Sequence, residues 1–257
     1  VEFLLGTHEV SWLRRTTVPL FVSHRRLAKR KYLPRALGPW ALDSGGYTEL
    51  NMHGQWVTTE PEYVDAVRRY TADIGVLQWA APMDWMCEPW VVSKTGFSVV
   101  EHQHRTVDNY CRLRQMAPDL PFIPVLQGYE RADYDRCIGF YEEAGVDLWR
   151  VPLVGLGTMC RRQGEKDIER IVTDLALLNL PLHGFGIKIR GLKQYGWALV
   201  SADSMAWSLR ARRHEAPMLP GCTHKTCANC FDYAHHWRLH DVLPTLVNQQ
   251  PRMLRAG

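Results

Sequence analysis

The sequence predicts an α/β fold of the (β/α)8 TIM-barrel type with a small appendage at its carboxyl end. Eight short apolar runs alternate with helical segments along the chain, which is the tally such a barrel needs. Several of those runs finish on a functional group, and barrels build their sites at the carboxyl ends of their strands. An open doubly wound sheet would give similar alternation but with a Gly-rich first turn, and none is present. At 257 residues, 46% hydrophobic and 23% charged, the chain has ample apolar content for one barrel and is no disordered polymer. No apolar run approaches the roughly 18–20 residues of a membrane span, and the first residues lack a secretory pattern. The expectation is a cytoplasmic protein with no membrane partner.

Taken in order, the first apolar run covers residues 3–8 and ends at His8, and the second covers 18–23 and ends at Ser23. A basic helix over about 24–33 follows, stopped by Pro34. The third run, Trp40–Asp43, precedes Ser44-Gly45-Gly46, and residues 47–58 look like an inserted hairpin turning at Asn51-Met52-His53-Gly54. Thr59-Glu60-Pro61-Glu62 opens a helix with a capping residue, an early proline and first-turn acids. Residues 74–82 form the fourth strand, running into Asp84, and a loop over 87–95 leads to a helix around 97–116. The fifth strand, 122–127, ends on Gln127. A helix over 134–143 stops at Gly145, and the sixth strand, 148–154, runs into a Gly155-Leu156-Gly157 turn. After a helix over 168–178, the seventh strand spans 182–187 and meets Lys188, with a short helix start at 191–195. The eighth, 198–202, ends on Asp203. The barrel domain is thus expected over 1–210. A segment over 211–257, with a helix from about 231 to 242, packs on it.

The strand ends carry the chemistry. Asp43 stands where a strand stops, followed by glycines that allow a ligand close to the backbone. Asp84, Gln127, the Gly155/Gly157 turn, Lys188 and Asp203 complete the inventory. One Asp at a strand end is ordinarily a cap or turn former. Three converging on one barrel mouth would repel, so at least one should hold a proton. Such a set suits a glycosidic carbon: one carboxylate attacks or stabilises an oxocarbenium-like centre while another manages the leaving group's proton. Asp, Gln and backbone amides also suit the edge of a nitrogenous base. Of the aromatics nearby, Tyr47, Trp79, Trp85 and Trp90, at most one is expected to stack on a base. His102 and His104 are expected to be structural.

Cys222-Thr-His224-Lys-Thr-Cys227-Ala-Asn-Cys230 supplies four soft or borderline donors, which suits tetrahedral Zn²⁺ with no open position, hence a structural ion. His235 and His236 compete for the fourth position. Cys87, Cys111, Cys137 and Cys160 share no spacing and read as reduced thiols. The net charge of +4 is too small to argue for nucleic acid, but its distribution is uneven. Arg25, Arg26, Lys29, Arg30 and Lys31 form a dense run that is either a solvated surface or a phosphate-contacting one, with Arg161-Arg162 and residues 210–213 as smaller clusters.

With these residues in hand, the chain resembles the queuine/archaeosine tRNA-guanine transglycosylase superfamily. It is most similar to the short relatives of phages and bacteria that place 7-deazaguanines in DNA. The resemblance spans about residues 40–230. Asp43-Ser44-Gly45-Gly46-Tyr47 is similar to that family's Asp-Ser-Gly-Gly-aromatic turn, whose acid handles protons. Met83-Asp84 resembles the segment whose Asp binds the purine edge, and Leu126-Gln127-Gly128 the one whose glutamine reads the base. Gly155-Leu156-Gly157 resembles a glycine loop offering backbone groups. Asp203, in Ser-Ala-Asp-Ser, is similar to the family's nucleophile. The resemblance implies a (β/α)8 barrel with a structural zinc. The family's zinc ligands follow Cys-x-Cys-x₂-Cys plus a distant His; here His224 takes the middle cysteine's spacing and Cys230 replaces the remote ligand. Few residues follow the zinc helix, which leaves little of the surface that holds folded tRNA and favours DNA.

The resulting expectation is a pentosyltransferase that exchanges guanine for a 7-deazaguanine such as preQ0 in DNA through a covalent Asp203 glycosyl intermediate. Asp43 would handle protons, and Asp84, Gln127, Gly155, Gly157, Ser44 and Gly45 would hold the base. A homodimer or a helper protein is compatible with this reading. The same chemistry on tRNA is the nearest alternative, and a non-catalytic zinc-containing nucleic-acid-binding protein is the second. A barrel hydrolase with a catalytic metal is disfavoured because no His pair sits at ligand spacing on the strands.

Overall fold

In the computed structural model, residues 1–160, 162 and 166–247 are described. Arg161 of the small basic pair lies outside them. Eight parallel strands form one curled sheet: β1 Glu2–Thr7, β2 Leu20–Ser23, β3 Trp40–Asp43, β4 Leu77–Ala80, β5 Val125–Leu126, β6 Val154–Leu156, β7 Leu182–Gly184 and β8 Ser201–Ser204. Their spatial order is β4-β3-β2-β1-β8-β7-β6-β5, so the first and last strands are neighbours in the middle. The edge strands β4 and β5 do not share a ladder. A single bridge, Ala80 to Phe122, joins the end of β4 to the segment ahead of β5. It is held by Ala80 N–H donating to Pro121 O (2.9 Å) and Ile123 N–H donating to Ala80 O (3.2 Å). The barrel expectation therefore holds as far as an eight-stranded parallel curled sheet with helices on its outside.

Strand residues alternate faces, and this sorts the core into two parts. Leu4, Ala41, Trp79, Ala81, Ile123 and Leu153, with Phe21 and Phe185, pack together inside the curl. Phe3, Leu5, Leu20, Val22, Trp40 and Leu42 belong to the larger cluster beneath the outer helices. Both faces are buried, as parallel sheets require, so the strands read as nearly unbroken apolar runs. Asp43 lies two residues beyond Ala41, and so shares the inner face. Register places it opposite Ser23, and Asp203 opposite Leu4.

The helices are α1 His24–Leu27, α2 Gly46–His53, α3 Glu60–Asp73, α4 Pro89–Thr95, α5 Val99–Met116, α6 Arg131–Glu143, α7 Lys166–Leu177, α8 Ile189–Tyr195, α9 Ala206–Arg212, α10 Phe231–Trp237 and α11 Leu243–Val247. The α3 start is a capping box, with Thr59 N–H donating to Glu62 Oε2 at 2.8 Å. Five local expectations are corrected. The hairpin over 47–58 is instead α2, entered at Gly45 (φ 83°) and left at Gly54 (φ 69°). Only Gly46 and Leu50 of that helix are buried, so it carries almost no apolar periodicity to detect. The sixth strand starts at Val154 rather than near 148. Asp147 turns the chain first, its carboxylate accepting from Trp149 N–H at 3.0 Å, and Pro152 restricts the residue before it. The expected loop over 87–95 contains α4, with Pro89 in its first turn. The basic helix stops at Leu27, and the C-terminal helix passes through a π-helical stretch, Arg238–Val242, before α11.

The carboxyl-terminal segment docks on the amino-terminal one through aromatic packing. Trp12 stacks on Trp207 (5.5 Å between centroids) and meets Phe231 edge-on (5.2 Å), while Phe3 packs on Trp237 (5.9 Å). No helix among the described residues is long and apolar enough to cross a membrane.

Candidate active site

A cavity of about 460 Å³ opens at the carboxyl ends of the strands, within the roughly 300–1,000 Å³ typical of small-molecule sites. Asp43, Asp84, Gln127, Gly157, Lys188 and Asp203 all line it. Strand alternation aims Asp43 and Asp203 inward. The chain beyond β4 and β5 delivers Asp84 and Gln127 to the same space.

These groups are tied together. Gln127 Nε2 donates to Asp84 Oδ2 at 2.5 Å, and the Thr158 hydroxyl donates to Gln127 Oε1 at 2.7 Å. Thr158 also accepts from Cys87 N–H at 3.0 Å. The amide of Gln127 is thereby oriented, with its NH₂ towards Asp84. Ser44 Oγ donates to Asp84 Oδ1 at 3.4 Å. Gly45, in the left-handed region, gives its N–H to Asp43 Oδ1 at 3.2 Å. Gly157 is needed for space: a Cβ there would lie 2.3 Å from Gln127 Nε2. Gly155 is placed differently from the turn that the sequence suggested. It sits in β6, where a Cβ would strike Phe185 and Val125, and it is not part of the cavity lining.

Asp203 Oδ1 accepts from Gly186 N–H at 2.9 Å. Burial raises the Asp43 carboxyl above the usual carboxylate range; the Asp203 charge pushes the same way, while Ser23, Gly45 and Arg25 oppose. Burial pushes Asp84 up to about 7, with the charges of Asp43 and Glu88 adding and Gln127 opposing. Asp43 and Asp84 thus both hold a proton more readily than a free carboxylic acid, which suits them to proton transfer and to binding a base edge.

Ser23, Thr158, His183 and Glu88 were not singled out by sequence reasoning. Thr158 and Glu88 line the cavity, and Thr158 carries φ 58°, an outlier for a β-branched residue. His183 carried a faint signal, as a polar residue inside an otherwise apolar strand. Of the aromatics, Tyr47 lines the cavity and Trp79 is buried inside the sheet; Trp85 packs against His102 and Trp90 is partly exposed. His102 is bound to Met86 O and Thr95, and His104 stacks on Phe140.

The Cys222, His224, Cys227 and Cys230 ligand atoms lie within 4.8 Å of one another. A tetrahedral zinc with Zn–S near 2.3 Å separates its sulfurs by about 3.8 Å, and Cys222 Sγ lies 3.9 Å from Cys230 Sγ. Met218 N–H donates to Cys227 Sγ (3.1 Å) and Tyr233 N–H to Cys230 Sγ (3.4 Å), as second-layer donors to thiolates do. Burial opposes the Cys227 thiolate, but the Met218 N–H, then His224 and Cys222, bring its pKa below the usual value. The donor set fits a structural zinc. His235 is engaged elsewhere, by Phe231 O and Thr16, and His236 packs on His240.

Arg25, Arg26, Lys29, Arg30 and Lys31 are exposed. The Arg25 side chain lies against Gly45 beside the cavity. His8 lines the cavity and is lowered to about 4, chiefly by burial, then by Arg26 and Arg212. Lys29–Lys31 lie farther along a turn that Arg69 pins by donating to Arg30 O (2.6 Å) and Lys31 O (3.0 Å).

A family model described as DpdA, DeoxyPurine in DNA protein A, matches residues 1–254. No curated protein matches the chain. Among solved structures, N2152 from Neocallimastix frontalis is similar at 13% identity with a TM-score of 0.41; the match covers 71% of this chain and 51%, about half, of that one.

Proposed function

The chain belongs to the DpdA family, a 7-deazaguanine DNA-modification family related to the tRNA-guanine transglycosylases, and from that premise we propose that it exchanges guanine in DNA for a 7-deazaguanine base such as preQ0. The observation that carries the reading is the convergence of Asp43, Asp84, Asp203 and Gln127 on one cavity of nucleobase scale. We read the Ala80–Phe122 bridge as the seam of a closed (β/α)8 barrel. Residues 1–210 would form the catalytic unit and 211–257 a second segment that packs on it over its described part, residues 211–247; the last ten lie outside the described residues.

In the proposed reaction the target nucleotide is turned out of the duplex, because its C1′ is otherwise out of reach. The free carboxylate oxygen of Asp203 attacks C1′, the C1′–N9 bond breaks, and its electron pair goes to the base. Asp43, raised by burial, supplies the proton that the departing guanine takes. The incoming base then gives a proton to Asp43 and attacks C1′ through N9. The C1′–Asp203 bond breaks, and its pair returns to the carboxylate. Asp84 and Gln127 hold whichever base is present, with Ser44 fixing Asp84 and Gly157 leaving room for Gln127. Arg25 and Arg26 contact backbone phosphates at the cavity mouth. Cys222, His224, Cys227 and Cys230 hold a zinc that ties down the terminal segment and leaves no open coordination position.

The test is incubation of DNA and preQ0 with the protein, followed by nucleoside analysis of the DNA, with tRNA as a competing substrate. Incorporation into DNA that vanishes in Asp203→Ala is expected. Undiminished incorporation in that variant removes Asp203 as nucleophile, and incorporation into tRNA alone removes DNA as substrate.

A further inference from the structure

His183 on β7 is fully buried directly behind Asp203. Register pairs it with Ser201 on β8, two residues before Asp203 and on the same face of the strand. Its Nδ1 lies 2.8 Å from Ser201 Oγ, and its Nε2 lies 3.4 Å from Asp203 Oδ1 without the alignment of a hydrogen bond. Trp79 (4.6 Å), Phe185 (4.7 Å) and Phe21 (6.0 Å) surround the ring, so few polar groups compete for it. A bare Nε2 lone pair would face a carboxylate lone pair, which is repulsive. The favoured tautomer therefore carries its proton on Nε2, with Nδ1 accepting from the Ser201 hydroxyl.

We infer that His183 is a positioning residue for Asp203, an inference that rests on Asp203 being the nucleophile proposed above. Together with Gly186 N–H, its Nε2–H holds Oδ1 and turns the other oxygen towards the cavity. The small rotation that closes the 3.4 Å contact belongs to the reacting state, as catalytic hydrogen bonds commonly tighten only with substrate bound. When the glycosyl ester forms, Oδ1 becomes a carbonyl oxygen and the two N–H groups lose much of their hold. When the incoming N9 attacks C1′ and the C1′–O bond breaks, negative charge returns to the carboxylate and both donors strengthen. His183 thus assists departure of Asp203 in the second half of the exchange.

The test follows the lifetime of the protein–DNA adduct. Adduct is formed with DNA in the absence of free base, preQ0 is added, and decay is followed by denaturing electrophoresis. For His183→Phe the decay slows about 10- to 100-fold, the scale of one hydrogen bond to a charged group. The KM for the base stays within about two-fold. His183→Gln, whose Nε2–H reaches the same place, recovers most of the rate. A ring with only a packing role would lower the melting temperature and the active fraction but leave the decay of formed adduct unchanged. If His183→Phe does not fold, Ser201→Ala reports instead, with a several-fold slowing in the same direction. Decay within about two-fold of wild type in the folded variant overturns the role of His183 alone. Absence of adduct in the wild type, or its persistence in Asp203→Ala, removes the nucleophile reading and this inference with it.

Discussion

Gln127 donates its amide N–H to Asp84 at 2.5 Å while its own oxygen is held by Thr158, so a carboxylate and a carboxamide from different strand ends act as one surface. Asp84 is raised to about 7 by burial, so under mildly acidic conditions it is protonated in the fold. Accepting N–H groups from a guanine edge needs the ionised form. Base affinity should rise as pH increases through about 7, and Gln127→Leu, which removes an opposing hydrogen bond, should move that rise to higher pH. Calorimetric titration of the base between pH 6 and 9, taken as about the useful range around that value, measures both. Affinity that falls over this range would contradict the assignment.

The same shift has a stability consequence of defined sign. The folded pKa lies above the unfolded value of 3.8, so the folded state binds more protons between 3.8 and about 7. The contribution of Asp84 is therefore most favourable below that window and is lost as pH rises through it. Asp84→Asn should raise stability at pH 8 by about 1–3 kcal/mol and change it little at pH 4. Melting curves at the two values decide it.

Thr158 holds a strained backbone conformation and supplies the hydroxyl that orients Gln127. Thr158→Val keeps the shape but leaves Gln127 Oε1 and Cys87 N–H without this partner, which should cost about 1–3 kcal/mol, read mainly in base affinity. Gly157→Ala should displace Gln127 outright and abolish base binding in a folded protein. Equal base affinity in both variants and wild type would sink the proposed role of Gln127.

One equivalent of zinc per chain is expected by elemental analysis. Chelation or Cys227→Ser should lower the melting temperature and perturb the fluorescence of Trp207, because Ser208 on α9 donates to Ala228 O inside the cysteine segment at 2.7 Å. Metal content unchanged in Cys227→Ser would contradict the ligand set.

Arg25→Ala with Arg26→Ala should weaken binding to any DNA sequence and reduce the salt slope of log K by about 2, at roughly 0.9 per lost phosphate contact. An unchanged slope would return these arginines to an ordinary solvated surface.

Much of the fold was legible because its determinants are local. The run Trp-Ala-Leu-Asp before Ser-Gly-Gly marks a strand that stops on Asp43, and strand ends are where a barrel builds its site. That Asp43 looks inward came from the packing of Ala41 in the inner cluster. The four candidate metal ligands stand within nine residues, so the cluster was legible in the sequence, with His235 and His236 as rivals to His224 that the structure engages elsewhere. Helix α2 escaped detection because it buries too little apolar surface to leave a period, and the start of β6 because a proline turn resembles a strand in composition.

What only the tertiary structure decided are partnerships across the sheet. Asp84 and Gln127 are 43 residues apart, and Thr158 another 31 beyond. His183 stands behind Asp203 only because β7 and β8 pair in one register. A shift of that register by one residue would turn the imidazole to the opposite face. Proton affinities followed from the same source: composition counts carboxylates, but burial and neighbouring charge decide which of them keeps its proton.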